Sequence, residues 1–159
     1  MCIRDRDIPE YFRSIEALSA AEMHKKVTVE FPKNKIIFKA AAVADYTPAK
    51  KSEQKIKKTD SVVLELKRTR DILAELGNQK NGDQILIGFA AESENIIENA
   101  RLKLQKKNLD FIAANNLKVS GQDETEIILI SQNDEEKICG TKFEAAHKIL
   151  DKIREKMHE

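Results

Sequence analysis

Three apolar runs divide this chain, and between them apolar residues recur at helical spacing. Residues 35–43 (KIIFKAAAV) are nearly continuously apolar, as are 84–89 (QILIGF) and 111–114 (FIAA). Runs of that length predict strands, the first two buried on both faces of a parallel sheet. Residues 11–16 and the alternating 61–66 (SVVLEL) predict two further short strands. Ser19 and Glu22 stand at capping-box spacing, so a helix is expected from about Ala20 to Phe31, closed by Pro32. Thr69 reads as the N-cap of a helix over Arg70 to Leu76, and Gly77 as its stop. A longer helix from Ser93 to Lys107 places Ile96, Ile97, Ala100 and Leu104 on one face. The stretches 126–131 and 137–139, separated by Asn133-Asp134, predict a hairpin. A last helix carries Phe143, Ala146, Ile149, Leu150 and Ile153 at helical period.

Strands alternating with helices define an α/β layered domain with a mainly parallel sheet. Ligands in such domains bind beyond the carboxyl ends of the strands. The three strand ends are Ala44-Asp45, Phe89-Ala90 and Ala114-Asn115. Residues 1–10 are charged and patternless and read as an unstructured or non-native tail, leaving one domain over 11–159.

Composition narrows the function classes. Charged residues make up 35% of the 159 but almost cancel, leaving a net charge of +1. That balance lacks the basic surplus of a nucleic-acid binder. Two distant cysteines, Cys2 and Cys139, give neither a disulfide framework nor zinc spacing, which suits a reducing, cytoplasmic setting. No apolar run approaches the roughly 20 residues of a membrane span. The glycine fingerprint of a dinucleotide site, the P-loop, GxSxG and HExxH do not occur.

Candidate chemistry gathers after the first apolar run. Asp45 stands just past that strand, where a carboxylate can accept a hydroxyl or help hold a metal. The competing reading is a turn-capping Asp near Pro48. Five lysines follow between Lys50 and Lys58. If the segment is extended, Lys55 and Lys57 share one side and Ile56 anchors the other. A solvated charged loop has the same composition. Thr69-Arg70-Asp71-Ile72-Leu73 opens a helix, where free N–H groups attract anions, although an ordinary capped helix looks identical. Lys103 and Lys107 lie four apart on one helix face, which is usually a solvated face.

The stretches AAAVADYTPA, QKIKK, RDILAEL, IGFAAES and KLQKKNLDFIAANN occur in that order. Together they resemble the phosphopantothenate–cysteine ligase family, the ligase half of a bifunctional bacterial protein of coenzyme A biosynthesis. The resemblance implies a Rossmann-like α/β fold. It also implies a cytoplasmic enzyme that activates the carboxylate of 4′-phosphopantothenate with CTP and Mg²⁺. An acyl-cytidylate forms, and cysteine's amine then displaces CMP. By resemblance Asp45 is a nucleotide-binding aspartate and Lys55 the catalytic lysine, which also binds nucleotide. Arg70, Asp71, Ile72 and Leu73 match the helix opening at the nucleotide. Phe89 matches a cytidine contact, Lys103 and Lys107 two nucleotide lysines, and Ala41 a contact on the phosphopantothenate side. A homodimer is implied for the full-length form, and FMN only for the decarboxylase half, which this chain does not contain.

The chain departs from the family pattern at three places. Arg70 and Thr69 replace a usual Pro and Asn, and Thr47 replaces an Arg. The family's first strand–helix–strand unit has no counterpart before Tyr11, so an incomplete sheet is expected. Two other readings stay open from the sequence: a non-catalytic nucleotide-binding or dimerising fragment, and an NAD(P)-dependent oxidoreductase.

Overall fold

The computed structural model describes residues 11–50, 52–57, 60–116 and 124–158. They fall into two compact units, one of residues 11–29 and 42–72, the other of 30–41 and 73–158. The expected tail at 1–10 lies outside the described residues.

The first unit holds helix α1 (Ala20–Glu30) and a two-stranded ribbon. Ser19 Oγ accepts from the Glu22 amide at 3.2 Å, and the Glu22 carboxylate accepts from the Leu18 amide at 2.9 Å. The reciprocal cap expected at Ser19 therefore forms, one residue displaced on the return bond. The ribbon pairs β2 (Tyr46–Pro48) antiparallel with β3 (Leu66–Arg68). Both strands lie where the sequence predicts polar loop or strand end. The apolar stretch 61–66 forms a strand only at its last residue, and Val63 is 94% exposed. Apolar alternation there finds no partner face to bury against, so it specifies no strand. Residues 11–16 likewise form no strand.

The second unit is a five-stranded sheet. Its strands are β1 (Ile36–Lys39), β4 (Ile85–Glu92), β5 (Phe111–Asn116), β6 (Glu124–Ser131) and β7 (Glu135–Thr141), in that spatial order. β1, β4 and β5 are parallel, and β6 and β7 add antiparallel. The predicted α/β layering and C-terminal hairpin are both present. Ser131 N–H donates to the Asp134 carbonyl at 2.9 Å and closes the hairpin. β4 is an interior strand between β1 and β5, with Leu86 and Ile87 fully buried.

β1 differs from expectation. It is four residues long rather than nine, and it occupies an edge of the sheet. Ile36 and Phe38 are 36% and 43% exposed, so the strand is not buried on both faces. An edge strand has a ladder partner on one side only, and the chain leaves extended pairing after Lys39.

Helix α4 (Lys142–Lys156) covers one sheet face. Ala145, Ile149 and Ile153 pack with Ile85, Ile87, Phe111, Ala113, Leu129 and Ile138. The buried stripe is thus rotated from the one predicted, leaving Phe143 and Leu150 exposed at 74% and 49%. Thr141 and Glu144 complete a capping box at its start. The opposite face receives helix α3 (Ile96–Lys106), through Ala100 and Leu104. Ile97, predicted on the apolar face, is 38% exposed.

Helix α2 (Ile72–Gln79) carries two corrections. It starts at Ile72, not Arg70, and Thr69 does not cap it: the Thr69 hydroxyl is buried without a hydrogen-bond partner. The Thr69 amide is instead spent on the Asp45 carbonyl at 2.8 Å. Nor does Gly77 stop the helix. A Cβ there would lie 1.8 Å from the Lys107 carbonyl oxygen, so the glycine permits a close approach between helix backbone and the turn after α3. Asn108 Nδ2 donates to the Gly77 carbonyl at 2.8 Å across the same contact.

The amino ends of β4 and β5 are tied by Asp110. Its Oδ2 accepts from the Leu86 amide and from Lys80 Nζ, each at 2.7 Å.

Candidate functional site

The parallel strands share one carboxyl end, the end where α/β sheets take their ligands. Lys39 pairs with Gly88 and Phe89 with Ala113, so the chain after β1 passes beside the carboxyl end of β4. Ala41 therefore sits next to that end, half-buried, with its carbonyl accepting from Lys39 Nζ at 2.7 Å. Phe89 stands in the last turn of pleat before β4 ends and is 42% exposed. By strand alternation it shares the α4 face with Ile85 and Ile87. There it lines a largely apolar cavity of about 410 Å³ together with Phe38, Ala113, Asn115, Lys142 and Leu150.

Lys103 reaches the same strand end from the other face. A helical side chain leans toward its helix N-terminus. Lys103, two turns into α3, thereby returns its ammonium to the level of Glu92, the last residue of β4, and forms an ion pair with it. Ala41, Phe89 and Lys103 are thus gathered at one end of the sheet, with ring and ammonium on opposite faces. Glu92 has no place in the motif reading. The signal that singles out Asp45, a carboxylate closing a buried run, also fits the Glu of IGFAAE.

Lys107 does not join that group through its backbone. It caps the C-terminus of α3, its amide donating to the Lys103 carbonyl at 3.0 Å. The 11-residue helix runs about 16 Å away from the strand end. Leu73, in the first turn of α2, is buried against the β4 backbone at Gly88: a Cβ on that glycine would lie 2.9 Å from a Leu73 methyl. Its side chain is core, and only its backbone belongs to a helix opening.

In the first unit the ribbon brings Asp45 and the helix opening together. Tyr46 pairs with Arg68, and the Thr69 amide donates to the Asp45 carbonyl, so exposed Arg70 and Asp71 follow beside exposed Asp45. Ile72 is buried. Lys55 lies in the long connection between β2 and β3, at the far end of the ribbon from Asp45, and is exposed. Ile56, expected as the anchor of that segment, is itself 58% exposed. Ile56 therefore does not anchor the segment, and Lys51 and Lys58 lie outside the described residues.

No group of three or more His, Cys, Asp or Glu side chains is placed to hold a metal among the described residues. Among them too, no helix is long and apolar enough to cross a membrane.

Sheet and helices define an α/β protein of Rossmann-like layering, with the carboxyl ends of β1 and β4 side by side. Residues 4–157 match the family described as the DNA/pantothenate metabolism flavoprotein C-terminal domain, and the chain belongs to that family. It is 50% identical over 108 residues to the coenzyme A biosynthesis bifunctional protein CoaBC of Bacillus subtilis (strain 168), covering 67% of this chain and 26% of that protein. It is 42% identical over 151 residues to a cysteine/cysteine sulfinic acid decarboxylase of an unknown prokaryotic organism, covering 91% of this chain and 42% of that protein. The crystal structure of the C-terminal domain of a coenzyme A biosynthesis bifunctional protein CoaBC superposes with a TM-score of 0.78 at 32% identity, covering 97% of this chain and 70% of that one. The chain thus spans between a quarter and a half of the curated relatives it matches.

Proposed function

We propose that this chain carries the ligase chemistry of coenzyme A biosynthesis, the CTP-dependent joining of 4′-phosphopantothenate to cysteine through an acyl-cytidylate. The observation that supports it best is the convergence of Ala41, Phe89 and Lys103 on one strand end. These are positions that the resemblance assigns to phosphopantothenate and cytidine nucleotide. A ligand lying across the end of β4 meets the Phe89 ring on one side and the Lys103 ammonium on the other.

In this reading the carboxylate of 4′-phosphopantothenate attacks the α-phosphorus of CTP, and pyrophosphate leaves. Two anions must approach, so fixed positive charge lowers the barrier. By the resemblance, Lys55 supplies charge to the phosphates, and Arg70 supplies a second contact. Asp45 binds the nucleotide with Asp71 and the backbone of Ile72 and Leu73, whose free N–H groups face an anion at a helix start. Mg²⁺ takes most of its oxygens from phosphates and water and needs only one or two carboxylates, which exposed Asp45 and Asp71 could supply. Held there, the ion would neutralise phosphate charge. The cysteine amine then attacks the acyl carbon, and CMP departs.

The test is CMP release from CTP with 4′-phosphopantothenate, cysteine and Mg²⁺. CMP formation that requires 4′-phosphopantothenate is expected. CTP hydrolysis indifferent to the acid, or no turnover, would remove the assignment.

A further inference from the structure

We propose that Glu92 is the positioning residue for Lys103: its carboxylate holds the ammonium at the carboxyl end of β4, ready for an anionic group of the nucleotide. This rests on the nucleotide reading of the site given above.

The geometry carries the inference. Glu92 is the last residue of the interior strand β4, and its side chain is only 16% exposed, whereas Lys103 is 45% exposed. A sheltered carboxylate thus anchors an ammonium that stays open to solvent. The pair differs from ordinary surface pairs such as Lys137–Glu126, exposed at 60% and 54%. A lysine ammonium has three protons. One goes to Glu92, and two remain to donate elsewhere. Lysine on a free four-carbon stem loses considerable rotamer entropy when it grips a ligand. A lysine already held loses less, so the pair preorganises the contact. Against this, the Glu92 charge repels an approaching phosphate. The sign of the effect of removing Glu92 therefore decides whether holding or repulsion dominates.

The experiment titrates CTP into the full chain by calorimetry, comparing Glu92→Gln, Glu92→Ala, Glu92→Asp, Lys103→Met and the double variant Glu92→Gln/Lys103→Met. Glu92→Gln is nearly isosteric and keeps the fold testable. Removing the carboxylate is expected to weaken CTP about fivefold, the scale of one partly exposed ion pair. Glu92→Asp recovers part of that loss. In the Lys103→Met background the Glu92 change is expected to cause no further loss, only a relief of the carboxylate's repulsion, which a merely structural role for Glu92 would not produce. Unchanged or tighter CTP binding by Glu92→Gln, or an equal loss in both backgrounds, overturns the inference while leaving the nucleotide site standing. If Lys103→Met leaves CTP affinity unchanged, or the unaltered chain does not bind CTP, the inference and the site reading fall together.

Discussion

Replacing Gly77 by Ala tests whether tertiary contact or local propensity rules at that position. In an isolated helix the change is favourable by about 1 kcal/mol, because Gly is the poorer helix former. In this chain the new Cβ would sit 1.8 Å from the Lys107 carbonyl oxygen, while a carbon–oxygen contact needs roughly 3.3 Å. Helix α2 and the turn after α3 must separate by about 1.5 Å, the difference between those two distances. That separation breaks the 2.8 Å bond from Asn108 Nδ2 to the Gly77 carbonyl, worth about 1 kcal/mol. Overpacking against backbone adds about 1–3 kcal/mol. Set against the gain in propensity, a net loss of about 2 kcal/mol follows. Urea unfolding followed by circular dichroism should show the midpoint falling by about 1 M. Gly82→Ala is the control: a Cβ there meets nothing within 4 Å, so its midpoint should scarcely move. A Gly77→Ala variant as stable as the parent would refute the packing argument.

Other perturbations read other parts of the molecule. Asp110→Ala leaves the Leu86 amide and Lys80 ammonium without their shared acceptor; a loss of about 2–3 kcal/mol in urea unfolding is expected, and less than 0.5 kcal/mol would remove Asp110 from that role. The Glu144 carboxyl is held below the usual carboxylate range, chiefly by the Thr141 backbone N–H and then by its hydroxyl. Its ionised form therefore favours the folded state above the unfolded carboxylate pKa, and that contribution is lost as pH falls through the lower folded value. Glu144→Gln should accordingly flatten the loss of stability in acid, measured as urea midpoints from pH 7 down through the carboxylate range; an unaltered profile would exclude the cap as a source. Lys55→Gln should lower CMP formation about 100-fold with the urea midpoint unchanged, and near-parent turnover would free Lys55 from the phosphates.

Much of the architecture is legible in the chain itself. Residues 85–88 of the run QILIGF are buried because the run is apolar on both faces, and it forms an interior strand of the sheet. Helices α3 and α4 follow from apolar spacing, and the cap at Ser19 from a side chain able to reach its own backbone. The ordered motifs are likewise local, and the family follows from them. Where the reading fails, a distant segment decides. The apolar run at 35–43 has strand composition throughout, yet only four residues pair, because pairing depends on where β4 lies and β1 has it on one side alone.

Tertiary structure also decided the candidate site. Asp45, Phe89 and the lysines can be picked out as residue types. The chain alone does not tell that Thr69 spends its amide on Asp45, that Ile56 faces solvent, or that Lys103 is met by Glu92 eleven residues away. Gly77 shows the difference most plainly. As a letter in the sequence it signals a helix end, since glycine pays the least to leave the helix. In the fold it lies inside α2, because a carbonyl from thirty residues away occupies the space any side chain would need. Local composition sets which conformations a segment can adopt; excluded volume and hydrogen bonds from remote backbone select among them.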